Sequence, residues 1–163
     1  EGPVTTGATS GAVVGERNRR FWSTCDSNVR LRWRRRCLCL RLWLLLRPAL
    51  LPGLLELLRT NRHHELPQRI FEVGWVVRDH ANRLALSWVE LNSRAPFSKA
   101  RATAQAVAQR LGVEGDAQPV EDNMFIAGRC ASLGDVLVFG EIHPRVLEGY
   151  ELSYPAIGGE LLW

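Results

Sequence analysis

Leucines at positions 50, 51, 54, 55, 57 and 58 recur at spacings of three and four, which lays a broad apolar stripe along one face of a helix running from about Leu51 to Asn61. Glu56 and Arg59 fall outside the stripe, and Pro52 falls in the first turn, where its missing N–H costs nothing. The period then shortens. In QRIFEVGWVVRD, residues Ile70, Phe71, Val73, Val76 and Val77 form a β-branched and aromatic run around Gly74, which predicts a strand with a bulge or a close backbone approach at the glycine. LALSWVEL reads as its antiparallel partner, with His80 to Arg83 as the polar turn. SKARATAQAVAQRLGV is a helix with Ser98 as N-cap, Ala102, Ala106, Val107 and Leu111 as its apolar side, and Gly112 as its stop. MFIAGRCASL follows as a strand or the entry to a strand pair, with a structural turn around Gly128, then DVLVFGEI as a buried strand. HPRVLEGY is a short helix opened by Pro144, and IGGELLW a last strand. Together these elements predict an α+β fold with a mainly antiparallel sheet flanked by helices.

Residues 1–46 share none of this order. Glu1 to Gly15 is rich in Gly, Thr, Ser and Val without a period and reads as disordered. Residues 30–46, RLRWRRRCLCLRLWLLL, fit neither a helical stripe nor a half-buried strand. Arg34 to Arg36 lie too far in for a secretory signal, Arg41 breaks the apolar run, and Cys37 to Leu46 falls short of the roughly 20 residues of a membrane span. Two readings remain: a basic segment, Arg17 to Arg41, whose arginines and tryptophans pair with nucleic-acid phosphates or an anionic membrane surface, and a GC-rich stretch translated out of frame. The chain therefore divides into an aberrant or disordered segment, 1–46, and a folded domain, 47–163.

Charge follows the same division. Residues 1–46 hold nine arginines against Glu1, Glu16 and Asp26, and nine minus three leaves +6; the rest holds 12 basic and 14 acidic residues, and 12 minus 14 leaves −2. A domain that read nucleic acid through its own surface would carry basic residues across its body, so residues 47–163 are not expected to do so alone. Cys25, Cys37, Cys39 and Cys130 form no CxxC pair and no disulfide framework, which suits a reduced, intracellular compartment. His63 and His64 point about 100° apart on a helix and have no second ligand pair, so they read as a solvated helix end and no metal site is expected. Glu141 and His143 share a strand face and could form an acid–base pair. No nucleophile joins them, however, and they read as an ion-pairing residue and a strand-to-helix corner.

Two blocks carry a family resemblance. LLRPALLPGLLELLRTNRHHELPQRIFEVGWVV resembles the archaeal and eukaryotic phenylalanine–tRNA ligase β subunit, with its RxxLLPGLL helix leading through NxxxELPxRIFEVG into a strand. FIAGRCASLGDVLVFGEIHPRVLEGYELSYPAIGGEL resembles that subunit's closing segment, including the GRCA turn, the GEIHPxVL corner and a final strand carrying an acidic residue, here Glu160. The resemblance covers about residues 47–163. It implies a C-terminal core of class II aminoacyl-tRNA synthetase shape that is non-catalytic and packs against a catalytic α subunit in an (αβ)2 assembly, in the cytoplasm and away from membranes. It also implies only an indirect part in handling tRNA. ATP and magnesium are implied for the complete ligase, with no cofactor, metal or catalytic residue in this segment. Leu50, Leu54 and Leu58 are the expected subunit interface, and Gly74, Gly128 and Pro144 the expected structural turns. Arg78 stands where a motif 2 arginine would neutralise the ATP α-phosphate, but no glycine-rich strand ending in a second arginine accompanies it, and it reads as a solvated strand end. Two departures stand out: the family's upstream domains do not appear, and the Arg/Leu run replaces the strand expected before the LLPGLL helix.

Overall fold

A computed structural model describes residues 47–163, and the expectations for residues 1–46 lie outside the described residues. The leucine stripe forms α1 (Leu51–Thr60). The two apolar runs after it form β1 (Gln68–Arg78) and β2 (Ala81–Leu91), paired antiparallel without a break from Gln68↔Leu91 to Arg78↔Ala81. Their turn is tighter than the His80 to Arg83 loop expected from polarity. Asp79 and His80 both take positive φ, 51° and 61°, which is the geometry that matches a two-residue turn to the right-handed twist of a hairpin. Gly74 makes no bulge in that continuous register. What comes close is a side chain, because a Cβ at Gly74 would stand 2.5 Å from a guanidinium nitrogen of Arg47.

Next come α2 (Phe97–Leu111), β3 (Ala117–Pro119), β4 (Phe125–Leu133), β5 (Leu137–Ile142), α3 (Pro144–Gly149) and β6 (Ala156–Leu162). The strands form one sheet in the order β1-β2-β6-β5-β4-β3, antiparallel at every pairing. Gly112 ends α2 in the left-handed conformation, as the sequence indicates. Gly128 is not a turn between elements. It has φ 75° inside β4, where the register to β5 shifts between Phe125 and Cys130, so it marks a bulge.

The helices lie on opposite faces of the sheet. On one face Leu51, Leu54, Leu55 and Leu58 of α1 pack with Val89, Ile142 and Ala156, while Leu50 packs with Val76 and Ala85. Each such leucine contributes about 2 kcal/mol by leaving water, which gives a short helix far more stability than its propensity could. On the other face Ala100, Ala104 and Ala108 of α2 lie over Trp88, Phe139, Ile157 and Leu161. The expected apolar side was Ala102, Ala106, Val107 and Leu111, yet Ala102 and Ala106 face solvent and Leu111 is 41 % exposed. Alanine's small side chain lets α2 sit close to the sheet, near enough for Phe97 to stack on Phe139 with ring centroids 5.8 Å apart.

Candidate functional site

A helix beginning without a capping side chain leaves N–H groups unpaired, and the two longer helices among the described residues begin that way. Leu50 and Pro96 occupy the N-cap positions of α1 and α2, and neither has a side chain able to accept a hydrogen bond. Ser98, expected as N-cap, lies inside α2 instead. Two carboxylates on the sheet supply what the caps lack. Glu160 on β6 accepts at Oε2 from the backbone N–H groups of Leu50 (3.0 Å) and Leu51 (2.9 Å). Glu141 on β5 accepts at Oε1 from Phe97 N–H (2.7 Å) and at Oε2 from Arg129 (2.6 Å). An acceptor on the sheet fixes where each helix meets it, so these strand acids position the helices as well as cap them.

The two acids differ in surroundings. Glu160 is 9 % exposed, and burial pushes its carboxyl up to about 7, against the opposing pull of the two N–H groups and of Arg78 and Arg47. Arg78 is half-buried rather than a solvated strand end. Burial lowers it from its ordinary value, while the fields of Glu160, Asp79 and Asp122 work to raise it. Arg47 binds Glu72 through its guanidinium at 2.6 Å, and its carbonyl accepts Val77 N–H (2.9 Å), which ties it to β1. A third sheet acid, Glu90, lies on the α2 face between Arg69 (3.1 Å) and Lys99. Burial alone would push Glu90 up, but the hydrogen bonds of Lys99 and Asn92 hold it below the usual carboxylate range.

Glu141 and His143 do not meet as an acid–base pair. Both oxygens of Glu141 are taken by Phe97 and Arg129, and His143 Nδ1 accepts from Arg145 N–H at 3.1 Å as the N-cap of α3, with Pro144 at its first turn. His63 and His64 are exposed in the turn after α1, and among the described residues no group of three His, Cys, Asp or Glu side chains is placed to hold a metal. Burial pushes the Cys130 thiol up to about 12, which leaves it protonated and unreactive. Leu50, Leu54 and Leu58, the expected subunit interface, are 0 %, 2 % and 0 % exposed within this chain alone. Sequence reading did not single out Glu160 as a residue that acts on α1. The available signal was an acid in an otherwise apolar strand, set against a helix whose N-cap is leucine.

Removal of a strand cap is directly measurable. Glu141→Ala is expected to lower unfolding free energy in urea by about 1–3 kcal/mol, since it strips both the α2 start and Arg129 of their acceptor. An unchanged midpoint would mean that water serves the α2 N-terminus equally well.

The geometry has counterparts among known proteins. Residues 43–163 match the family model of the phenylalanyl tRNA synthetase beta chain CLM domain. The chain is 47 % identical over 121 residues to a phenylalanine–tRNA ligase β subunit of Archaeoglobus fulgidus, an alignment covering 72 % of this chain and 22 % of the relative. Against the subunit of the same name from Methanothrix thermoacetophila the identity is 40 % over 121 residues, with the same coverage of 72 % and 22 %. The chain thus spans about a fifth of the length of these curated relatives. In three dimensions it is similar to a pyrrolysyl-tRNA synthetase of Desulfitobacterium hafniense, with a TM-score of 0.54 and 22 % identity over 71 % of this chain and 46 % of that one, a likeness of fold to a class II synthetase.

Proposed function

Since this chain belongs to the phenylalanyl-tRNA synthetase β-chain family, we propose that residues 47–163 form the non-catalytic, C-terminal class II-like core of a phenylalanine–tRNA ligase β subunit. In that role the domain packs against a catalytic α subunit, in an (αβ)2 assembly in the cytoplasm, and supports the ATP-dependent attachment of phenylalanine to tRNA without carrying out the chemistry. Residues 1–46 lie upstream of this core and take no part in the reading.

The observation that supports it is the position of Glu160. A nucleotide phosphate needs free N–H groups or cations converging on one point, the arrangement that stabilises charge in phosphoryl and adenylyl transfer. Here the N–H groups at the start of α1 already bond to Glu160 Oε2, and Arg78 lies in the field of Glu160, Asp79 and Asp122. A phosphate brought to that position would face a carboxylate. On this reading that position does not suit a nucleotide phosphate, and the ATP and magnesium of the complete ligase bind elsewhere in it.

Purified chain incubated with phenylalanine, ATP, magnesium and tRNA is expected to form no phenylalanyl-tRNA above background. Product formed by the chain alone, and lost on Arg78→Ala, would overturn the non-catalytic reading.

A further inference from the structure

One face of the sheet is only partly covered. On the side where α2 crosses β4, β5 and β6, α2 reaches as far as Trp88 of β2, and β1 beyond it is exposed. Phe71, Val73 and Trp75 point out from β1 there, 76 %, 52 % and 65 % exposed, opposite Trp88, Leu86 and Leu84 of β2. Isolated exposed apolar residues are common on soluble proteins, but three in a row on one strand face, flanked by half-buried leucines, make a continuous strip.

We propose that this strip seats an amphipathic helix with acidic flanks, supplied by a polypeptide other than this chain. The inference goes beyond the ligase reading and does not depend on it. Its shape comes from the sheet. Two strands about 4.8 Å apart make a floor about 10 Å wide, the width of one helix, and α2 forms a wall along one side of it. The Lys99 bond to Glu90 identifies the flank of α2 that looks over β2, whereas Arg101, Gln105 and Gln109 look the other way, toward Ala117 and Leu133.

Charge selects the occupant. Arg69 and Lys99 share the single carboxylate of Glu90 at one end of the strip, Arg110 stands near the far end of α2, and α2 contains no acidic residue. The wall therefore carries excess positive charge. The chain's own residues 1–46, at +6, are mismatched to it, and a second copy would bring another basic α2 against the first. An acidic-flanked helix meets both the apolar floor and the basic wall.

The test uses the full chain and two synthetic helices of about 18 residues, each with a leucine stripe, one with glutamate flanks and one with lysine flanks. Fluorescence anisotropy is expected to show the glutamate peptide binding at least about tenfold more tightly than its lysine twin, and Phe71→Ser with Trp75→Ser to weaken it at least about tenfold. Both side chains are exposed, so the double variant should melt as the parent does. A variant that melts early is replaced by Phe71→Gln with Trp75→Gln for the same measurement. Equal binding of the two peptides, or binding of neither, would overturn the proposal. So would self-association in sedimentation velocity that the double variant abolishes, because a second copy would then be the occupant. Displacement of the glutamate peptide by a synthetic peptide of residues 30–46, or by a single-stranded RNA of about 20 nucleotides, would overturn it as well.

Discussion

A Gly159→Val chain is expected to lose more than about 4 kcal/mol of stability and to be largely unfolded or aggregated at 25 °C. Gly159 sits on β6 with the six-membered ring of Trp88 lying directly over its α-carbon. A Cβ there would overlap Trp88 Cη2, stand 2.5 Å from Trp88 Cζ2 and come within 2.9 Å of Phe139 Cβ. Trp88 cannot swing away cheaply, since it is 8 % exposed in the cluster beneath α2, and Phe139 beside it is fully buried under Phe97. Overpacking costs about 1–3 kcal/mol for added methylenes in a tolerant core, and this site has the Trp88 ring on one side and Phe139 Cβ on the other. Far-ultraviolet circular dichroism with urea titration measures the loss. Pairing Gly159→Ala with Trp88→Leu separates mechanism from mere damage: if the ring is what excludes a side chain, the double variant should be more stable than the sum of the single costs by over about 1 kcal/mol. Native-like melting of Gly159→Val would show that the sheet yields where the packing says it cannot.

The same residues show why some of the fold could be read from sequence and some could not. The α1 stripe had no competing pattern, and the structure begins α1 at Leu51, as expected, and ends it at Thr60. The α2 face was ambiguous, because alanine recurs at every second position from 100 to 108. Periodicity therefore offers two rows at spacing four, Ala100, Ala104 and Ala108 or Ala102 and Ala106, and only the position of Phe97 over Phe139 decides between them. Gly74 and Gly128 were both visible as special positions, but what makes them special is a contact from Arg47 in one case and a strand irregularity in the other, and neither is local in sequence. The short β3 was missed because its three residues have no pattern of their own and are held by pairing to β4.

Long-range capping was hidden for a related reason. Capping is ordinarily a local signal, a Ser, Thr, Asp or Asn just before the helix, and Ser98 met that description. The carboxylates that serve α1 and α2 lie 110 and 44 residues from the N–H groups they bind. The arrangement ties secondary structure to tertiary structure, since α1 gains its N-terminal acceptor only once β6 is in the sheet. Glu160 thereby ties the start of α1 to the last strand of the sheet, and the N–H groups there already have their acceptor.

That link makes the pH dependence of the fold a readout of Glu160. Its carboxyl is raised from 4.5 to about 7 by burial, so the folded chain holds a proton that the unfolded chain has released. The sign follows from linkage: between roughly pH 4.5 and 7 the native state binds more protons than the unfolded state, and stability falls as pH rises. The contribution is fully present below the unfolded value and is lost once pH has passed the folded one. With 1.36 kcal/mol per unit, the window amounts to on the order of 3 kcal/mol. Glu90 works in the opposite direction at lower pH, because its folded value is depressed. The useful quantity is therefore the difference between wild type and Glu160→Gln, in which Glu90 cancels. The amide of that variant keeps a carbonyl oxygen for the N–H groups of Leu50 and Leu51 and cannot ionise. Wild type minus variant, from urea unfolding in matched buffers, should fall by a few kcal/mol between about pH 4.5 and 8, most steeply near the middle of the window, about pH 6. Parallel curves would mean that Glu160 ionises in the fold as easily as in water, and that the N–H groups of α1 and the nearby arginines outweigh its burial.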